Sequence, residues 1–182
     1  MKIALVIGHS RKSQGSMNKS NITEYAMFKT YLHTVKGFLP QQCEYRVFER
    51  KDDSGTGYYQ RIHALTAEVN EWGADLVMSF HFNSYSNDRV EGFEVLTTSY
   101  EKSRDYARML LSYLEPVLYG DNRGNKVINR GDRGYWFLQS TNSPTMLIEG
   151  FFGSSKSDTD NFFDTLPSFT QALGVFINRL GG

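Results

Sequence analysis

Three short apolar segments, each carrying a potentially reactive residue at or near its end, constrain the fold of this chain more than any other feature. The segments are residues 2–7, 75–82 and 145–151. His9 follows the first, His81 lies near the end of the second, and Glu149 lies near the end of the third. Runs of this length are typical of buried strands, because helices usually need about ten residues or more. If the three strands are neighbours, the three side chains meet at one edge of a sheet.

Helical spacing appears between the strand-like segments. Ile62, Leu65, Val69 and Trp72 share one face of a stretch that ends before Gly73, as in an amphipathic helix with a glycine cap. We expect helices at residues 21–37, 58–72, 101–119 and 167–180, and strands at residues 2–7, 44–48, 75–82, 92–98, 126–129, 136–138 and 145–151. This alternation predicts an α/β sandwich with a mostly parallel sheet.

Local signals predict where helices start and where loops lie. Asn21 is placed to cap the first helix, with Glu24 three residues later as in a capping box. Pro167 suits the first turn of the last helix. The polar, glycine-containing stretches are expected to be loops: residues 10–19, 51–57 and 120–134.

Composition excludes several classes of protein. The 182 residues suit one domain, 1–182, with its own core. Basic and acidic residues balance at 20 each, so no net charge indicates nucleic acid or an anionic membrane as partner. One cysteine excludes an intrachain disulfide and a multi-cysteine zinc site. The first apolar run is shorter than the ~7–15 residues of a signal-peptide core, so we expect no signal peptide. No apolar run approaches the ~20 residues of a membrane helix, so we expect no membrane span.

The residues at the strand ends indicate a metal site. Ligands of parallel α/β sheets bind beyond the carboxyl ends of the strands, and catalytic zinc takes His, Glu or Asp ligands and keeps one position for water. His9 and His81 are candidate ligands, and Glu24 could reach the same point from the first helix. Glu149 would be the free carboxylate that takes and returns a proton.

Each of these residues also has a structural explanation. A lone histidine is more often hydrogen-bonded than metal-bound. Glu24 could serve the capping box alone, and Glu149 could pair with an arginine such as Arg61. Spacing alone leaves both interpretations open.

The ordered set of segments resembles the zinc-dependent N-acetylmuramoyl-L-alanine amidase family, the catalytic domain of bacterial autolysins and of many phage endolysins. The resemblance extends over nearly the whole chain. Its matching pieces are Gly8-His9, Glu24, Arg61 and residues 74–77, 79–83, 92–95 and 144–149. Residues 11–15 depart from the loop that many members carry after the first histidine. The resemblance implies a three-layer α/β/α sandwich with a mostly parallel, mixed central sheet of about six strands.

The resemblance also implies the chemistry. His9, Glu24 and His81 would bind one Zn²⁺, and Glu149 would be the catalytic carboxylate. The reaction would be hydrolysis of the amide between N-acetylmuramic acid and the L-alanine of the stem peptide, with peptidoglycan as the partner. Two alternatives remain at this point: a zinc peptidase that cuts within the stem peptide, and a catalytically inactive wall-binding module.

Four further residues are candidates for substrate contact. Asn83 could bind substrate or shape the turn after its strand, and Arg130 could meet stem-peptide carboxylates or be a solvated loop charge. Tyr135 and Trp136 could supply affinity for the wall. We expect a monomer that needs neither nucleic acid nor membrane. It would act on the bacterial cell wall, either as a phage lysin released from the host cytoplasm or as an excised domain of a secreted protein.

Overall fold

Six strands form one sheet in the order β2-β1-β3-β6-β4-β5, in a computed structural model that describes residues 1–55 and 57–181. The strands are β1 (Lys2–Ile7), β2 (Glu44–Glu49), β3 (Leu76–Asn83), β4 (Phe93–Thr97), β5 (Asn122–Val127) and β6 (Thr145–Phe152). Neighbouring strands are parallel except for β4 and β6, which are antiparallel. The mixed, mostly parallel sheet confirms the predicted fold class.

Helices cover both faces of the sheet and complete a three-layer sandwich. They are α1 (Glu24–Val35), α2 (Tyr58–Trp72), α3 (Glu101–Leu114), α4 (Tyr135–Gln139) and α5 (Lys156–Gly181). The larger core lies under α1, α3 and α5, and a smaller one lies under α2 and α4. Along β1, Ile3, Leu5 and Ile7 enter the larger core and Ala4 and Val6 the smaller one. Because both faces are covered, the central strands have continuous apolar sequences.

The first helix starts differently from the prediction. Thr23, not Asn21, is the N-cap, and its Oγ1 accepts a hydrogen bond from the backbone N–H of Ala26 at 3.3 Å. Asn21 has a φ of 61° and precedes the helix in a turn. Glu24 is therefore the first helical residue, which frees its side chain from the capping box.

The last helix begins well before Pro167, so the predicted start is wrong. Ser155 caps it, since its Oγ accepts a hydrogen bond from the backbone N–H of Asp158 at 3.1 Å. Pro167 lies inside α5. Its buried face includes Phe169, Leu173, Phe176 and Ile177, as predicted.

The segment from residue 120 to residue 139 also differs from the prediction. The expected strand at residues 126–129 is instead β5, which begins at Asn122 and pairs with β4. The Asn125 side chain donates a hydrogen bond to the carbonyl oxygen of Val95 at 2.9 Å, so polar contacts hold this strand. The expected strand at residues 136–138 is part of the short helix α4.

Thr56, in the expected loop at residues 51–57, and Gly182 lie outside the described residues. Among the residues that are described, none of the helices has the length and apolar character needed to cross a lipid bilayer.

Candidate metal centre and active-site cavity

The reactive side chains gather at the carboxyl edge of β1, β3 and β6, on the face covered by α2 and α4. His81 of β3 is the register partner of Glu149 of β6, and Glu149 is in turn opposite Glu94 at the start of β4. These three residues alternate with larger-core residues such as Phe80 and Ile148. They therefore project together into a cavity of about 330 Å³.

Glu24 joins the two histidines. Its Oε2 lies 3.1 Å from Nε2 of His9 and 3.2 Å from Nδ1 of His81. Its Oε1 accepts a hydrogen bond from the backbone N–H of Ser16 at 2.9 Å. Burial alone would raise the pKa of Glu24, but the hydrogen bonds and charges of His81 and His9 lower it to about 2. Glu24 is thus an ionised carboxylate directed at the histidines.

Two glycines make this close approach sterically feasible. A Cβ on Gly8 would lie 2.1 Å from Nε2 of His81, and one on Gly15 would lie 2.7 Å from both Glu24 and His9. Gly15 also has a φ of 77°, which disfavours a side chain. The loop after β1, although it departs from the family pattern, therefore packs directly on the cluster.

Each histidine directs one ring nitrogen at Glu24, and its other nitrogen has at most one hydrogen-bond partner among the described residues. Burial lowers the pKa of His81, although the hydrogen bond and charge of Glu24 act in the opposite direction. Nε2 of His81 lies 3.2 Å from Oγ of Ser79, and Nδ1 of His9 is buried with no partner among the described residues. The two rings meet edge to face, with centroids 5.1 Å apart. A neutral imidazole is the form that binds metal.

The residues of this cluster fit a zinc ion. One ligand atom each from His9, Glu24 and His81 lies within 4.8 Å of the others. Zinc bonds of ~2.0–2.1 Å set tetrahedral ligand atoms about 3.3 Å apart, close to the 3.1 and 3.2 Å contacts that Glu24 makes. Two imidazoles and one carboxylate are also a ligand set of hydrolytic zinc sites.

Glu149 lies beside the cluster and forms no ion pair with the other described residues. Its Oε2 is buried and accepts no hydrogen bond from the described residues. Burial raises the pKa of Glu149 well above its ordinary value, the charges of Glu24 and Glu94 add to the rise, and Arg133 opposes it. Burying such a group without a partner costs free energy, so its position is better explained by chemistry than by stability.

Of the four predicted contact residues, Asn83 and Trp136 line the cavity. Asn83 Nδ2 donates to Glu94 Oε1 at 2.9 Å, so it links the turn after β3 to the strand across the cavity. Arg130 lies over the Trp136 ring at 5.7 Å, and the Tyr135 ring is 5.3 Å from that of Trp136. Arg130 and Tyr135 therefore contact the cavity wall through Trp136.

Sequence reasoning gave no role to three charged residues that line the cavity, Glu94, Arg50 and Asp132. Glu94 alternates with the buried residues of β4, and Arg50 directly follows β2 at the strand's carboxyl end. The signal that pointed to His9 could also have found Arg50. Arg61 donates a hydrogen bond to the carbonyl oxygen of Gly55 at 3.3 Å, which supports a structural role for it.

Comparison with known proteins links this geometry to one family. The sequence model described as N-acetylmuramoyl-L-alanine amidase matches residues 3–166. Among solved structures, an N-acetylmuramoyl-L-alanine amidase from Clostridium difficile 630 is similar with a TM-score of 0.77 and 20% identity, over 99% of this chain and 95% of that one. The comparison with curated protein sequences found no match.

Two catalytic domains are also similar to this chain. That of CwlV, an N-acetylmuramoyl-L-alanine amidase from Bacillus (Paenibacillus) polymyxa var. colistinus, has a TM-score of 0.80 and 19% identity, over 98% of this chain and 97% of that one. The catalytic domain of the CD27L endolysin, which targets Clostridia difficile, has a TM-score of 0.71 and 26% identity, over 94% of this chain and 92% of that one.

Proposed function

This chain belongs to the N-acetylmuramoyl-L-alanine amidase family and is a peptidoglycan hydrolase; on that premise, we propose that it works with one zinc ion bound by His9, Glu24 and His81. One observation carries the proposal. Oε2 of Glu24 is within 3.2 Å of an imidazole nitrogen from each histidine, and Glu149, whose buried Oε2 has no partner among the described residues, lines the same cavity.

The chemistry divides between the ion and the protein. When bound, zinc lowers the pKa of water and polarises the amide carbonyl. The Glu149 carboxylate accepts a proton from the attacking water, whose oxygen bonds to the lactyl carbonyl carbon. Glu149 then donates that proton to the alanine nitrogen as the C–N bond breaks. The products are a free lactyl carboxyl group and a stem peptide with a free L-alanine amino terminus.

The environment of Glu149 suits both halves of this cycle. Burial raises its pKa, which favours holding the proton and donating it to the leaving nitrogen. Positive charge nearby, as Arg133 already supplies, favours the ionised form that accepts the proton. We assign substrate contact to Asn83 and Trp136, which line the cavity, with Arg130 and Tyr135 supporting the Trp136 ring.

We further propose that residues 1–182 act as a single, monomeric catalytic domain in lysis of the bacterial cell wall, without nucleic acid or membrane. The single sheet of six strands and the balanced charge support this. The 26% identity to an endolysin catalytic domain supports a lytic role like that of a phage lysin released from the host cytoplasm. An excised domain of a secreted protein is the alternative source.

Mass spectrometry of digested peptidoglycan tests the proposal. The zinc-loaded protein should release muramic acid with a free lactyl carboxyl group and peptides that begin with L-alanine. Cleavage between stem-peptide residues would instead identify a peptidase. Unchanged turbidity of purified cell walls would identify a wall-binding module.

A further inference from the structure

Arg50 is a buried cation that faces the cavity and forms no ion pair with the other described residues. Its residue surface is only 4% exposed, yet it lines the cavity. Its Nε is buried and has no hydrogen-bond partner among the described residues, and none of their ion pairs involves it. Its contacts are Nη2 to Oγ of Ser10 at 3.5 Å and the face of the Tyr58 ring at 5.3 Å. A buried charge without a counter-charge is costly.

The charges around Arg50 are mixed, because Arg61 adds a second cation and Asp52 is a nearby acid. Burial lowers the pKa of Arg50; the charge of Arg61 acts in the same direction, and those of Tyr58 and Asp52 oppose it. Arg61 also has a buried Nε with no partner among the described residues. Asp52 is already engaged, because it accepts hydrogen bonds from Oγ of Ser10 at 2.6 Å and from the backbone N–H of Lys12 at 2.9 Å. The Nε–H groups of Arg50 and Arg61 therefore have no acceptor among the described residues, and of the two arginines Arg50 lines the cavity.

Arg46, on the same strand, shows how a structural arginine is satisfied in this protein. Its Nη2 lies 2.9 Å from Oε1 of Glu68, and its side chain is partly exposed. Arg50, by contrast, is 4% exposed and forms no ion pair with the described residues. The difference between the two arginines indicates that the partner of Arg50 comes from outside the chain.

We propose that Arg50 binds a carboxylate of the stem peptide and makes the enzyme prefer stem peptides in which that group is not amidated. The inference rests on the proposed function, because it places the peptide in the same cavity. Arg50 contacts Ser10, which directly follows the proposed ligand His9. A carboxylate close to the scissile amide could therefore reach it, and the first free one is the α-carboxylate of the second, γ-linked glutamate. The guanidinium fork matches a carboxylate with two parallel hydrogen bonds, which an amide cannot reproduce.

Kinetics on two matched muropeptides test this assignment, one with γ-linked D-glutamate at the second position and one with D-glutamine. The wild type should prefer the glutamate form, mainly through KM. Arg50→Met keeps much of the side chain's volume and should lower kcat/KM for that form about 10- to 100-fold, as expected for a hydrogen bond to a charged group. It should leave the glutamine form nearly unchanged. Arg46→Met is the matched control and should keep the preference.

A wild type that ignores amidation, or an Arg50→Met variant that loses activity equally on both substrates, would overturn the assignment. Equal loss would mean that Arg50 only supports the loop after β1. If Arg50→Met does not fold, Arg50→Lys takes its place. It keeps the charge but not the fork, so the preference should weaken without disappearing.

Calorimetric binding separates this inference from the proposed reaction. The dipeptides L-Ala-γ-D-Glu and L-Ala-γ-D-Gln are titrated into zinc-loaded wild type and Arg50→Met. Tighter binding of the glutamate form that is lost in the variant would support the Arg50 site even if the scissile bond proved to be a different one. Equal affinity of the wild type for both dipeptides would overturn it, whatever bond is cut.

Discussion

His81 and Glu149 are register partners on adjacent strands, and burial shifts the pKa of each side chain in the direction that keeps it uncharged. Glu24, which contacts His81, behaves oppositely, since its pKa is lowered to about 2. Glu24 therefore tends to be ionised, whereas Glu149 tends to hold its proton. In our proposal this difference makes Glu24 a metal ligand and Glu149 the proton carrier.

Glu24→Gln should lose zinc and part of its pH-dependent stability. The neutral amide should weaken zinc binding by more than the ~10–100-fold that loss of an outer partner costs. In chelator-treated wild type, the lowered pKa of Glu24 contributes up to about 3 kcal/mol of stability above pH 4.5, which is lost as the pH falls toward 2.

Zinc content and denaturant unfolding at several pH values check this prediction. The exposed Glu44→Gln on β2 is the control and should behave as wild type. Full zinc occupancy in Glu24→Gln would contradict the proposed ligand set.

Gly8→Ala should disrupt the cluster of His9, Glu24 and His81, although the substitution adds only one methyl group. The new Cβ would lie 2.1 Å from His81 Nε2, so the ring must leave the position in which its Nδ1 contacts Glu24. Overpacking of this kind costs about 1–3 kcal/mol, and zinc affinity should fall with it. Gly37→Ala is the matched control, because its Cβ meets nothing within 4 Å. Wild-type zinc affinity in Gly8→Ala would show that the His81 ring does not pack on Gly8 as closely as the 2.1 Å distance implies.

Asp158→Asn should change how stability depends on pH. Asp158 Oδ2 accepts hydrogen bonds from the backbone N–H groups of Phe152 and Gly92, which Asn can still accept. Burial raises the pKa of Asp158 from 3.8 to about 6 despite these bonds. The folded state therefore holds a proton that the unfolded state releases, and the wild type loses stability relative to the variant as the pH rises from about 4 to about 6.

The expected relative loss is at most about 3 kcal/mol. Unfolding free energies of both proteins, measured from pH 3.5 to pH 7, give the difference directly. A difference that stays constant over this range would mean that the pKa of Asp158 is not raised.

The meeting of His9, His81 and Glu149 at the carboxyl edge of the sheet could be predicted from the positions of three short apolar segments alone. His81 and Glu149 lie in apolar runs too short to be helices, and His9 follows a third such run. Parallel neighbours bring such ends together whatever the details of the connections. The site was therefore accessible from the sequence before the register was known.

Other elements could not be predicted because their signals were weak or ambiguous. The β5 strand is polar and largely exposed, so it lacks an apolar pattern and depends on pairing with β4 and on the Asn125 side chain. The apolar residues of α4 fit a strand and a single helical turn equally well. Pro167 resembles a helix start, but Ser155 is the true cap and α5 continues through the proline.

The positions of the charged residues at the cavity were also not evident from the sequence pattern. Glu94 alternates with buried residues on β4, a pattern also typical of a strand with one solvated face. Only the position of β4 beside β6 shows that this face meets Glu149. Arg50 follows the end of β2 in the sequence, but its burial becomes evident only in the fold.

The most direct test of the central claim is Glu149→Gln, measured for zinc content and for muropeptide release on the same preparation. The substitution keeps the shape of the side chain but removes the group that takes and returns the proton. We predict full zinc occupancy, an unchanged unfolding midpoint or a higher one, and hydrolysis reduced by about 10²- to 10⁴-fold, the usual contribution of a general acid–base group. Hydrolysis at the wild-type rate, or loss of zinc together with activity, would contradict the account.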